Sequence, residues 1–92
     1  MRWYITRVEL HSAAPGDYAK LHEAMQAAGF SLTIPDSTGK RYRLPTAEYS
    51  LYANLGPPEV WQKAKTAANS TGKASWVLAT QALDWAHDLP AA

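Results

Sequence analysis

The sequence predicts an α+β domain in which one four-stranded antiparallel sheet carries two helices on a single face. Three observations lead there. Segments that alternate apolar and polar residues with period 2 are interrupted twice by segments of helical period, in the order β-α-β-β-α-β. Each helical segment is apolar along one stripe only, so it must lie on a sheet rather than be enclosed. Between the second and third extended segments, Asp36-Ser37-Thr38-Gly39 is turn chemistry that folds them into a hairpin.

The first strand covers Trp3–Leu10. Side chains alternate along an extended chain, so Arg7, Glu9 and His11 share one side, while Tyr4, Thr6, Val8 and Leu10 face the helices. The first helix is expected from Pro15, a favourable first helical residue, with Asp17 in the positive first turn. Tyr18, Leu21, Met25 and Ala28 form its stripe. Gly29 supplies a left-handed ending, on which Phe30 folds back. The second strand is Phe30–Ile34. After the turn, Arg41–Leu44 returns as the other arm and continues past a kink at Pro45 into Glu48–Ala53, giving one long bent third strand. Gly56-Pro57-Pro58-Glu59 opens the second helix. Val60, Ala64, Ala67 and Ala68 point inward, and Lys63 and Lys65 point out. Ser75–Thr80 is the fourth strand. Residues 81–92 are a C-terminal tail, read as one or two helical turns.

This order is the ferredoxin-like plan, and residues 1–92 make a single domain of that kind. Right-handed crossovers make strands one and three central neighbours. Arg7 and Glu9 then lie beside Glu48, Ser50 and Tyr52. No helix covers the other sheet face, so Trp3, Ile5 and Tyr52 are the candidate interface for a homodimer or another protein partner.

Composition narrows the class. A 92-residue chain buries only about 60–65% of the surface it exposes when unfolded, so a bare sheet face gains from a partner. The net charge of +1 gives no overall field that favours nucleic acid, and any such binding must come from a local patch. The absence of Cys removes disulfides, thiolate nucleophiles and Cys-ligated zinc. With no apolar h-region and no bilayer-length apolar run, a cytoplasmic protein without membrane contact is the expectation. There is no Gly-rich phosphate loop and no G-x-S-x-G elbow.

Three segments, Thr6–His11 (TRVELH), Tyr18–Ser31 (YAKLHEAMQAAGFS) and Leu44–Tyr49 (LPTAEY), resemble the GhoS-like family, the antitoxins of type V toxin–antitoxin systems. The resemblance implies a ferredoxin-like fold, related in shape to small CRISPR-associated nucleases. It also implies an endoribonuclease, sequence-selective and dimeric, that cuts the messenger RNA of a membrane toxin. Those nucleases carry a metal-binding Asp near the end of the first strand, where this chain has Glu9 and His11. The alternative is a non-catalytic protein-binding module, such as a homodimeric adaptor or a phage-type inhibitor of the anti-CRISPR kind.

RNA cleavage without metal needs a base for the 2′-hydroxyl, a proton for the leaving oxygen and positive charge at phosphorus. Arg7, Glu9 and His11 are the catalytic candidates: His11 or Glu9 as base, Arg7 as phosphate clamp. The competing reading is that Arg7 and Glu9 stay solvated or form a cross-strand ion pair with Glu48 or a dimer mate. Lys40, Arg41, Tyr42 and Arg43 are the RNA-binding candidates, able to grip phosphates and stack a base of single-stranded RNA. They read equally as a charged hairpin arm that keeps an edge strand from unwanted pairing. His11, Asp17 and His22 do not share a face, so neither metal nor cofactor is expected. His22 reads as a hydrogen-bonded residue beside the core, and His87 has no assigned role. Trp76 and Tyr49 are expected in the core, Trp61 capping its helix against a sheet edge, and Trp3 and Trp85 at a contact surface.

Overall fold

The strand that carries the candidate residues, β1 (Arg2–Leu10), is the middle strand of the principal sheet. The computed structural model describes Met1–Ala92. β4 (Glu48–Ala53) and β5 (Ser75–Ala82) flank β1, both antiparallel to it. α1 (Asp17–Ala27) and α2 (Pro57–Asn69) cover one face. A hairpin of β2 (Thr33–Pro35) and β3 (Arg41–Arg43) forms a second, two-stranded sheet. The class is therefore α+β with antiparallel sheets, but the sheets have three and two strands instead of the expected four in one.

The split has a local cause. The long third strand breaks at Leu44–Ala47. Pro45 has no N–H to give a ladder, Ala47 takes a left-handed φ of 67°, and Glu48 N–H closes a turn on the Pro45 carbonyl at 3.1 Å. The arm before the break swings out of the principal sheet. What remains of the expected pairing between the second and third strands is one bridge, Ser31 to Ser50, with both backbone bonds made (2.8 and 2.9 Å). The Ser50 hydroxyl adds a bond to the Thr33 carbonyl at 2.6 Å.

Burial along β1 alternates as its pattern requires. Tyr4, Thr6, Val8 and Leu10 are buried, and Arg7 and Glu9 are exposed. The core joins these apolar residues to Leu21 and Met25 of α1, Tyr49 and Leu51 of β4, and Val60, Ala64, Ala67 and Ala68 of α2. The alanine stripe lets α2 approach the sheet closely. The Tyr4 hydroxyl donates to the Leu55 carbonyl, and the Tyr18 hydroxyl accepts the Leu10 N–H at 3.1 Å, so two large phenols enter the core with their polar ends paired.

The helix ends follow from single residues. α1 begins two residues later than Pro15 suggests, because Gly16 (φ 90°) turns the chain immediately before it. Asp17 is buried. Its carboxylate accepts the Ala14 N–H at 2.7 Å and lies 3.7 Å from the Lys73 ammonium. At the other end, Gly29 (φ 97°) lets Phe30 N–H reach Met25 O and its own N–H reach Gln26 O, both at 3.0 Å. Glu59 accepts the Gly56 N–H at 3.0 Å and closes the start of α2.

The outer edge of β5 is occupied by α2. Trp61 Nε1 donates to the Val77 carbonyl at 3.0 Å, which matches its expected place against a sheet edge. Lys65, expected to face outward, instead folds back and donates to the Ser75 carbonyl (2.8 Å) and hydroxyl (2.9 Å). Two edge carbonyls are thus unavailable for pairing with another chain.

The tail is extended, without the expected helical turns. Ala91 bridges Tyr42, Arg43 N–H donates to Pro90 O at 2.9 Å, and Ala92 N–H to Arg41 O at 3.1 Å. β3 was left without a second partner when it swung out, and the tail supplies one. Crossing to reach it, the tail and hairpin enclose a cleft lined by Ile5, Ile34, Leu44, Trp85 and Leu89. Ile34 is fully buried yet lies outside the principal core. The sheet face expected to be bare is therefore half roofed.

Candidate functional site

Strand register decides which residues share the helix-free face. Arg7 stands between Glu48 and Leu78, Glu9 beside Trp76, Ile5 between Ser50 and Thr80, and Trp3 between Tyr52 and Ala82. The tail and hairpin cover the half holding Trp3, Ile5 and Ser50. The half holding Arg7, Glu9, Trp76 and Leu78 stays open, with His11 just beyond the end of β1.

The structure places Arg7 and Glu9 in one shallow depression of this open half and sets His11 against Glu9 at its end. His11 is held by its backbone, whose N–H donates to the Ala74 carbonyl at 2.8 Å. Its Nε2 lies 3.6 Å from Glu9 Oε2, within ion-pair range but too long for a hydrogen bond. That nitrogen is buried and has no hydrogen-bond partner. With Nε2 buried beside Glu9, Nδ1 is the ring nitrogen left to meet a ligand. Arg7 faces Glu48 in register but forms no ion pair with it; the two ion pairs of the chain are His11–Glu9 and Lys73–Asp17. The Arg7 guanidinium makes no hydrogen bond to the protein, so its donors remain available.

Trp76 is the residue that sequence reasoning misplaced. It is 71% exposed rather than in the core, and its ring meets that of His11 at 4.5 Å, edge to face, at 86°. Leu78 beside it is 64% exposed. Arg7, Glu9, Trp76 and Leu78 line one shallow depression. Alternation sets Trp76 and Leu78 opposite Ser75, Val77 and Ala79, and the register of Glu9 with Trp76 puts the first pair on the helix-free face.

The remaining candidates are placed elsewhere. Trp3 stacks against Tyr52 (ring centroids 4.8 Å) and meets Trp85 of the tail at 6.0 Å, so it is half-buried within its own chain. Ile5 is half-buried under the tail, and Tyr52 is 50% exposed. On the hairpin, Arg41 is tied down, donating to Thr33 Oγ1 (2.6 Å), the Thr33 carbonyl (3.2 Å) and Ser31 Oγ (3.3 Å). The Tyr42 ring packs on His87 at 4.5 Å with the Lys40 ammonium 5.5 Å from its centre. The Arg43 side chain, alone of the three cations, has neither a hydrogen bond nor an aromatic partner. The turn itself is organised by Asp36, whose carboxylate accepts from the Thr38 hydroxyl (2.6 Å), Thr38 N–H (2.9 Å) and Lys40 N–H (3.0 Å). These bonds, the Thr38 hydroxyl first, hold Asp36 below the usual carboxylate range.

His22 lies on the helix side of the sheet, where its Nδ1 and the Tyr49 hydroxyl are 2.7 Å apart. Burial, and then the nearby Tyr18, push the Tyr49 phenol well above its ordinary range. No group of three or more His, Asp or Glu side chains is assembled where it could hold a metal ion. No helix is long and apolar enough to cross a membrane. No protein-family model matches the chain, and no curated protein matches it.

Proposed function

We propose that this protein is a ferredoxin-like endoribonuclease of the type V antitoxin kind, cutting single-stranded RNA of a toxin message on the open half of its sheet. The observation that carries this reading is the Glu9–His11 pair beside a guanidinium with no partner of its own. The resemblance of Thr6–His11, Tyr18–Ser31 and Leu44–Tyr49 to that family supports it. Two features support the ferredoxin-like plan: the bridge at Ser31 and the central place of β1.

In this mechanism His11 Nδ1 takes the proton of a ribose 2′-hydroxyl. The 2′-oxygen bonds to phosphorus, and the bond to the 5′-oxygen of the next nucleotide breaks. That oxygen takes a proton from water, leaving a 2′,3′-cyclic phosphate. Glu9 steadies the imidazolium that forms, and Arg7 stabilises the charge on the phosphoryl oxygens. Arg43 extends the grip on the phosphate backbone.

The test is incubation of the purified protein with a mixed RNA ladder in chelator. Discrete fragments ending in cyclic phosphate are expected. His11→Ala should slow their formation by about 10²–10⁴-fold, the usual worth of a general base. Intact RNA with the wild-type protein would overturn the reading.

A second reading rests on the exposed apolar area of Trp76, Leu78 and Tyr52. In it the same face is the contact surface of a non-catalytic binding module, a homodimeric adaptor or a phage-type inhibitor. Its signature is intact RNA together with a stable protein complex.

A further inference from the structure

We infer that Trp76 is the platform on which an unpaired base of the RNA stacks, so that the site selects single-stranded over duplex RNA. The inference rests on the endoribonuclease reading and adds the conformation of the substrate to it.

An indole 71% exposed on the helix-free face of β5 leaves the largest apolar side chain available bare to solvent. Nothing in the fold needs it there. Its neighbours on β5, Ser75 and Val77, supply the side chains that face α2. Tail and hairpin roof the other half of the face and leave this half open. Around the indole stand groups suited to a nucleotide and not only to an apolar surface. Arg7 lies one pair along the sheet, about 7 Å in strand rise from the row of Glu9 and Trp76, with all its donors unengaged. His11 touches the indole directly. A base stacked on Trp76 therefore brings its own sugar and phosphate to the residues that would act on them. A π-face accepts any base, which gives stacking without sequence readout. A base paired inside a duplex offers no free face, so the platform excludes it.

The experiment measures binding apart from cleavage, using a fluorescein-labelled 2′-O-methyl RNA 12-mer of mixed sequence, which lacks the nucleophilic hydroxyl. Trp76→Ala should weaken its binding roughly 5- to 100-fold, the range seen when a stacking aromatic is removed. Trp76→Phe should keep most of the affinity. Both substitutions are at an exposed position and should leave the thermal midpoint nearly unchanged. The wild-type protein, but not Trp76→Phe, should show quenching of the Trp76 share of indole emission on titration. A duplex of the same sequence should bind more weakly and equally to all three proteins.

If the wild-type protein cleaves RNA while Trp76→Ala binds the 12-mer as tightly as wild type, the platform is wrong and the endoribonuclease reading stands. If wild type neither binds nor cleaves, both fall. A dimer lost in Trp76→Ala, with no quenching by RNA, would assign the indole to a protein contact and overturn the inference.

Discussion

Thr6 offers the sharpest test of how β1 is packed. Its side chain is fully buried on the helix face, in register between Tyr49 and Ala79, and its hydroxyl has no hydrogen-bond partner. An unpaired hydroxyl in a protein interior costs about 1–3 kcal/mol. Thr6→Val keeps the β-branched shape and the strand preference and replaces that hydroxyl with a methyl group. The variant should therefore be more stable, by about 1–2 kcal/mol. For a domain of this size each kcal/mol moves the thermal midpoint by roughly 4–8 °C. Thr6→Ser is the control: it keeps the orphan hydroxyl, deletes a methyl group, and should lose about 1 kcal/mol. Thermal unfolding followed by circular dichroism gives the order Val above Thr above Ser. Urea titration with an unchanged slope would confirm that the native state, not the unfolded chain, is responsible. A Thr6→Val midpoint equal to or below wild type would refute the argument, because it would mean that the hydroxyl is satisfied and the sheet–helix interface is not dry.

Four further outcomes test the structure. The raised Tyr49 phenol favours its neutral form, so its contribution to stability is complete below its ordinary value of 10 and is lost as pH rises beyond it. Tyr49→Phe should flatten the alkaline limb of a stability–pH curve while costing about 1 kcal/mol at neutral pH through the lost bond to His22; an unchanged alkaline slope would contradict this. Arg41→Ala should speed amide exchange in Thr33–Arg43 by removing the three bonds that tie the hairpin, whereas Arg43→Ala should leave exchange alone. If Arg41→Glu with Arg43→Glu alters neither RNA affinity nor its salt slope, the hairpin is no part of the RNA site. Truncation after Ala82 removes one wall of the cleft that Ile34 lines, a loss of at most about 1.5–3 kcal/mol for that side chain. It should lower the urea midpoint and raise dye binding at Ile5 and Leu44, and a midpoint unmoved by the deletion would show that the tail does not hold this cleft closed.

The two faces of β1, the stripes of both helices and the Gly29 ending were legible because each depends on neighbours a few residues away. Period 2 and period 3.6 are local geometry, and a glycine at a helix end answers a local need for positive φ. The meeting of Arg7, Glu9 and His11 on one side follows from the same period. Trp76 was not legible in that way. Alternation shows that Trp76 and Ser75 face opposite sides of β5, but not which side lies under α2. That choice was made by the register with β1, which pairs Glu9 with Trp76 across more than sixty residues of chain. The tail carries no period, so its path was set by the unpaired edge of β3 and the apolar cleft beside Ile34. The break at Leu44–Ala47, which created that edge, looked like a kink because the sequence marks Pro45 but not the left-handed Ala47 beyond it. Local pattern thus determined the elements and the chemistry on β1. Long-range pairing and burial, whose free energy exists only once distant segments meet, decided how much of the sheet stays open around that chemistry and which indole stands in it.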